Sequence, residues 1–218
     1  MILYGSSLSP YVRKVLDVAA EKGIELQLER TGPVPGQYSD EFLEASPLRK
    51  MPAFRDGDFV LADSSAIIHY LEAKFPEQSM VPAEPRARGR TIWFEEYADT
   101  VMMSCGAKIF FNRVVAPKFM GRPGNLELAA TAERDELPPI LEYLEGVVPS
   151  GDGFLVGESL TLADIAVAGP FATLRHTGIV VDEGRHPKLA AFVARIHQRP
   201  SFTQWTDRER ALLERVAA

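Results

Sequence analysis

The chain reads as a mixed α/β domain followed by an all-helical domain, and three features of its sequence predict this. Up to Leu71 the apolar pattern runs strand, helix, strand, helix, strand, strand, helix. Pro76, Pro82 and Pro85 then crowd the stretch Phe75–Pro85 and work against regular structure. From Arg86 onward apolar residues recur at helical spacing and no convincing strand is found. We therefore expect an α/β domain over 1–76, a linker over 77–88 and an all-helical domain over 89–218.

Each element has its own justification. Met1–Val15 reads as a short buried strand, a tight turn and a helix start. Ser9 is the preferred kind of N-cap, and Pro10 at the first helical position has no N–H to leave unpaired. Val12, Val15, Leu16, Ala19 and Ala20 recur at helical spacing, while Arg13, Lys14, Asp17 and Glu21 fall largely opposite, which predicts one buried face. Gly23 ends that helix, and Ile24–Glu29 alternates as a half-buried strand does, implying a parallel pair with the first. Thr31–Gly36 is a loop by composition, Ser39 caps a short helix to Ala45, and Pro47 closes it. Asp56-Gly57 between short apolar runs signals a two-residue hairpin. Asp63-Ser64-Ser65 then supplies the acidic and hydroxyl residues that a helix start favours.

In the helical half, Trp93, Tyr97 and Val101 form one stripe, with Phe94, Ala98, Met102 and Cys105 beside it. Leu126–Val148 is helical, and Pro138-Pro139 removes two donors and kinks or splits it. Thr161 with Asp164 three residues later, flanked by apolar residues, is a capping box with Asp in place of Glu or Gln. Leu189–His197 forms an amphipathic helix stopped at Arg199-Pro200, and Asp207–Val216 forms a charged terminal helix.

Composition narrows the function. A chain of 218 residues has a net charge of −6, which disfavours a broad nucleic-acid surface and favours small-molecule chemistry. A chain of this length buries roughly 70% of its unfolded surface, enough for a real core. The single Cys105 excludes an internal disulfide and agrees with a reducing compartment. No metal is expected, since His69, His176, His186 and His197 are scattered. With no apolar leader and no long apolar run, we expect a cytoplasmic protein that makes no membrane contact.

The first helix start has a chemical reading as well as a structural one. Unpaired N–H groups and the positive end of the helix dipole favour an anion there, and a thiolate suits. Compared with glutaredoxin-type proteins, which carry Cys-Pro-Tyr-Cys at this turn, Ser9-Pro10-Tyr11-Val12 resembles a thiol-redox site without its own thiol. Two readings stay open: Ser9 is only a cap, or its hydroxyl serves a thiolate that a ligand brings.

Taken together, Ser9–Val15, Ser46–Phe54, Asp63–Ile67, the Thr161/Asp164 box and Arg199–Phe202 resemble a cytosolic-type glutathione transferase over nearly the whole length. The resemblance implies a thioredoxin-like N-terminal domain, a helical C-terminal domain, glutathione as cosubstrate, a small hydrophobic electrophile and a homodimer. Position by position, it makes Ser9 the activating serine of the theta-, tau- and delta-like classes and Pro52 the cis-proline. Met51 offers its backbone to the cysteinyl part of glutathione, Asp63 and Ser64 hold the γ-glutamyl end, and Lys50 meets the glycine carboxylate. Gln37 and Tyr38 lie where another ligand residue often falls. Tyr11, Tyr97, Met102, Met103 and Phe110, with Phe111, are expected to line the electrophile pocket.

There are departures from the family pattern. Ser46 and Arg49 stand where related chains often carry Asn and Gly, so the loop before Pro52 is expected to differ in shape. The Ser-Ser-Cys motif of the zeta-class isomerases is missing. The resemblance implies attack by a glutathione thiolate; a glutathione-dependent isomerase or dehalogenase, or a binding protein of the same fold, are the alternatives.

Overall fold

The first strand, β1 (Ile2–Gly5), lies at the middle of a four-stranded sheet of order β2-β1-β3-β4. The computed structural model describes residues 1–32 and 38–216. The described residues form two compact units, Met1–Met80 and Val81–Ala218.

In the first unit, β1 is followed by helix α1 (Pro10–Glu21) and by β2 (Gln27–Arg30), which pairs parallel to β1 with Leu3 opposite Leu28. As the outermost strand β2 is mostly exposed, because it has a neighbour on one side only. Helix α2 (Asp40–Ala45) is capped by Ser39, whose hydroxyl accepts from the Phe42 N–H at 3.2 Å. β3 (Ala53–Asp56) runs antiparallel to β1 and to β4 (Phe59–Ala62), and helix α3 (Ser64–Lys74) completes the unit.

Three sequence expectations shift here. The second strand, expected over Ile24–Glu29, begins at Gln27 and ends at Arg30. Asp56 is paired with Phe59, so the hairpin's two turn residues are Gly57 and Asp58, one position later than the Asp-Gly pair predicts. Gly57 has φ +64°, and the first of two turn residues is where a glycine is needed. The polar side of α1 is not solvated either: Arg13, Lys14 and Asp17 are as buried as its apolar residues, and Ala20 is exposed. Polar partners make that burial tolerable, as where Lys14 Nζ donates to Ser65 Oγ at 3.3 Å.

Lys22, just after α1, is held by Glu72 of α3 at 2.8 Å and also donates to the carbonyls of Glu77 and Gln78. Burial raises the Glu72 carboxyl, but hydrogen bonds from Lys22, Ser79 and the Met80 N–H outweigh it and hold the group below its usual 4.5. A depressed acid stabilises the fold fully above its unfolded pKa and loses that contribution as pH falls through its folded one. Glu72→Gln is therefore expected to cost about 1–2 kcal/mol at neutral pH, and less as the pH is lowered below that window. Urea midpoints of both proteins across acid pH check this; a constant difference would overturn it.

The second unit is helical throughout its regular structure among the described residues. Helices α4 (Pro85–Glu96) and α5 (Met103–Phe110) are joined by a wider, π-helical stretch, Tyr97–Met102, and a second such stretch, Phe111–Phe119, continues α5. The helix thus begins at Pro85, inside the span expected as linker. Helix α6 (Leu126–Thr131) passes through a π-helical stretch, Ala132–Glu136, into α7 (Leu137–Val147), so the prolines mark a change of helix type and not a break. Helices α8 (Leu162–Arg175), α9 (Pro187–His197) and α10 (Pro200–Arg215) follow.

Helix α8 is the centre of this unit. Every residue from Leu162 to Leu174 is buried, as expected of a helix apolar on all sides, and it packs on α4, α5 and α9. Asp164 anchors its start: Oδ2 accepts from the Thr161 N–H at 2.8 Å and the Thr161 hydroxyl at 3.1 Å, and Oδ1 accepts from the Leu155 N–H at 2.8 Å. No helix is long and apolar enough to cross a membrane among the described residues.

Candidate active site

The site is built in the first unit, at the end of the sheet where β1 gives way to α1. Ser9 precedes α1 with φ −74° and ψ 124°, the extended backbone of an N-cap. Its N–H donates to the Ser6 carbonyl and its carbonyl accepts from the Arg13 N–H, both at 2.9 Å. Among the described residues its hydroxyl accepts no backbone N–H. The residue stands where a cap stands, but its side chain is not used as one. Ser6 differs, since its hydroxyl accepts from the Leu8 N–H at 3.4 Å.

Gly5 shows why the neighbouring segments can approach. A Cβ at Gly5 would lie 2.5 Å from Val12 Cγ2 and 3.3 Å from Met51 Cβ, and its φ is +151°. Only a residue without a side chain lets α1 and the Met51 segment meet across the strand end. The pairing of Tyr4 with Ala53 puts the Met51–Pro52 bond, which is cis, beside the turn that carries Ser9. Sequence reading missed Gly5; its place between the strand and the Ser turn was the available signal.

Ser46 was expected to change the loop before Pro52, and it supports it. Its buried hydroxyl donates to the Lys50 carbonyl at 2.7 Å and accepts from the Lys50 N–H at 3.0 Å, clamping Leu48–Lys50 into a turn. Arg49 takes φ +56°, the conformation a glycine would adopt without cost. Lys50 is exposed at the end of this turn, and Met51 is half-buried.

Asp63 has φ +82° and ψ 131°, a conformation rare for a side-chain-bearing residue and strained by about 1–3 kcal/mol. Its Oδ1 accepts from the Ser65 and Ala66 N–H groups at 2.9 and 3.1 Å, so it does cap α3. The carboxylate is exposed, and Ser64 beside it is buried. The Lys14–Ser65 bond ties the N-terminal half of α1 to the first turn of α3, and Ser9 and Asp63 precede these two helices. Gln37 lies outside the described residues, and Tyr38 packs on the Phe42 ring at 5.1 Å as part of the core.

The residues expected around an electrophile are not gathered in one cavity. Met102, Met103 and Phe110 are buried in the core of the second unit, because the Phe94, Ala98, Met102 stripe faces inward. Tyr97 stacks on Trp93 at 5.4 Å and lines an open cleft of about 470 Å³ with Val101, Cys105 and Ile140. Phe111 is exposed, and Tyr11 is half-buried in the first unit. Burial pushes the Cys105 thiol up to about 11, with Glu136 adding to it, so it stays protonated and inert. Burial likewise pushes the Tyr97 hydroxyl up to about 12, with Tyr143 beside it. Among the described residues no three His, Cys, Asp or Glu side chains come together as metal ligands.

A parallel and antiparallel sheet with a cis-proline beside a helix start, followed by a helical unit around one buried helix, defines a thioredoxin-like domain joined to an all-helical one. Residues 3–79 match the glutathione S-transferase N-terminal domain family and residues 102–200 its C-terminal domain family. The chain is 33% identical over 196 residues to glutathione S-transferase theta-3 of Mus musculus, covering 89% of this chain and 80% of that one. It is also 33% identical to theta-1 of Homo sapiens, covering 89% and 81%. The apo structure of human glutathione S-transferase T1-1 superposes with a TM-score of 0.77 at 31% identity, over 90% of this chain and 82% of that one. A glutathione S-transferase from Methylobacterium radiotolerans, solved with glutathione sulfonate, gives a TM-score of 0.76 at 26% identity over 94% and 93%. The chain belongs to the glutathione S-transferase family and is an enzyme of the transferase class.

Proposed function

We propose that this enzyme holds glutathione at the Ser9 end of α1 as a thiolate and directs it at small hydrophobic electrophiles. The observation that carries the reading is that Ser9 occupies an N-cap position while, among the described residues, its hydroxyl makes no cap hydrogen bond. A neutral hydroxyl donating to sulfur stabilises the anion, and the α1 N-terminus adds to it. A free thiol with pKa near 8.5 is about 3% ionised at pH 7, and lowering it to roughly 6.5 makes it about 75% ionised. The reacting form is then enriched about 25-fold, and the remaining acceleration comes from positioning the electrophile.

The same chain would hold the tripeptide in three places. Met51, ahead of the cis peptide bond, supplies main-chain N–H and C=O groups as an edge strand does. Asp63 Oδ2 takes the ammonium, while Ser64 and the α3 N-terminus take the α-carboxylate. Lys50 meets the glycine carboxylate. The single cysteine, kept buried and protonated, fits a cytoplasmic enzyme. The direct test is difference absorbance of bound glutathione thiolate against pH, with turnover of an aryl halide alongside. A thiolate midpoint below that of free glutathione supports the reading, and an unshifted one sinks it.

We also infer a homodimer through the face of Trp93, Val101, Tyr143 and Val147, which are 43%, 44%, 36% and 39% exposed. Tyr97 joins their rings, 5.4 Å from Trp93 and 5.0 Å from Tyr143, and the adjoining cleft offers a hole for a partner side chain. Apolar rings gathered on an exposed face in this way suit a protein–protein contact. Sedimentation is expected to give twice the 24.1 kDa chain mass, and Trp93→Glu with Tyr143→Glu to give the single chain. A monomeric parent protein, or a double variant that stays dimeric, would remove this face from the assembly.

A further inference from the structure

Ser46 makes more polar contacts than its place at the end of α2 requires. Its N–H donates to the Phe42 carbonyl at 2.8 Å and closes the helix, and its carbonyl accepts from the Arg49 N–H at 2.9 Å. Its hydroxyl meets both main-chain groups of Lys50, donating to the C=O at 2.7 Å and accepting from the N–H at 3.0 Å. The residue is wholly buried. All of its polar groups thus serve one short stretch, from Phe42 to Lys50.

The bend so formed ends one residue before Met51, and Met51 is treated differently. Among the described residues neither its N–H nor its C=O has a hydrogen-bond partner, although the residue is half-buried. Pro52 after it has no N–H, and pairing with β1 begins only at Ala53. Lys50 is exposed, so water could serve its main-chain groups, and a protein hydroxyl that serves them instead fixes their direction. Consecutive residues of an extended chain turn their N–H and C=O groups to opposite sides. Holding the Lys50 pair on one side therefore leaves the Met51 pair for the other. Arg49 shows why a clamp is needed, since at φ +56° it sits in the left-handed region that a side chain disfavours. Without the Ser46 hydroxyl the bend has easier conformations to adopt.

We propose that Ser46 is a positioning residue for glutathione: by holding Lys50 it presents the Met51 N–H and C=O to the cysteinyl part of the tripeptide. The inference rests on the reading that Met51 makes that pairing. Ser46 acts through Lys50 and Met51 and has no part in ionising the sulfur. Ser9 and Ser46 then have separate tasks, the first setting the charge on the sulfur and the second the affinity for the peptide. An interaction made equally in the ground state and the transition state raises KM when it is lost and leaves kcat in place.

The test is titration calorimetry of the full-length protein with S-methylglutathione, which keeps the peptide and has no thiol to ionise, beside the thiolate midpoint of bound glutathione. Ser46→Ala is expected to raise the Kd for S-methylglutathione about fivefold, the effect of about one hydrogen bond, with one ligand still bound per chain. KM for glutathione should rise by the same factor, while kcat and the thiolate midpoint stay in place. Ser46→Thr keeps the hydroxyl and is expected to remain within about twofold of the parent protein. Loss of folded protein lowers the number of sites and leaves the Kd of the remainder, so it does not imitate this result. Ser9→Ala is expected to do the reverse, moving the thiolate midpoint and leaving the Kd for S-methylglutathione. An unchanged Kd in Ser46→Ala, an equal rise in Ser46→Thr, or a thiolate midpoint that rises in Ser46→Ala would overturn the proposal. A parent protein that does not bind S-methylglutathione would instead sink the glutathione reading, and this role with it.

Discussion

Ser9→Ala is expected to lower kcat/KM for glutathione conjugation about 10- to 100-fold, the loss of one hydrogen bond to a charged group. The bound thiol should titrate about 1–2 pH units higher, because each unit corresponds to 1.36 kcal/mol of lost preference for the anion. The rate profile must then move to higher pH by the same amount, since the thiolate is the reacting form. Stability should change little, because the Ser9 hydroxyl caps no backbone N–H among the described residues. That split is the diagnostic. A cap residue would lose about 1 kcal/mol of stability and no thiolate, whereas an activating residue loses thiolate and keeps stability. Ser9→Thr retains a hydroxyl and should recover part of the rate. Unchanged turnover and thiolate pKa in Ser9→Ala would shift the role to the helix N-terminus alone.

Asp164→Ala is expected to destabilise the protein by about 3–5 kcal/mol, a large part of the 5–15 kcal/mol of a whole domain. Truncation leaves the N–H groups of Leu155 and Thr161 without their acceptor at the start of a wholly buried helix. Asp164→Asn keeps one acceptor oxygen and should lose about half as much. The pH dependence has the opposite sign to that of Glu72. Burial raises the Asp164 carboxyl above 3.8 despite the opposing hydrogen bonds from Leu155 and Thr161 and the charge of Arg195. The folded state therefore holds that proton more tightly, and the stabilisation due to protonation is lost as pH rises through the folded pKa. Urea midpoints of the parent protein and both variants between acid and neutral pH measure this; an alanine cost under about 1 kcal/mol would show the box to be dispensable.

Local chemistry determined the elements. The Ser9-Pro10 start, the glycine-bearing hairpin turn, the Ser39 cap and the Thr161/Asp164 box each depend on residues close in sequence, and all four appear within a residue of their expected places. The family was legible too, because it rests on several such markers at fixed spacing. Three things depended on contacts between residues far apart. The first is that the Ser9 hydroxyl does not cap its own helix, which no N-cap preference foretells. The second is which of two neighbouring stripes on α4 and its continuation turns inward: Phe94, Ala98 and Met102 do, and Trp93 and Val101 do not, although both repeat at helical spacing. Periodicity fixes the separation of stripes around a helix, and only the packing partner chooses among them. The third is the approach of the Met51 segment to Gly5, since nothing beside Gly5 in the sequence names Met51 as its neighbour. Backbone preferences act over a few residues and are written in the sequence order; burial and the close approach of distant segments exist only once the chain has folded.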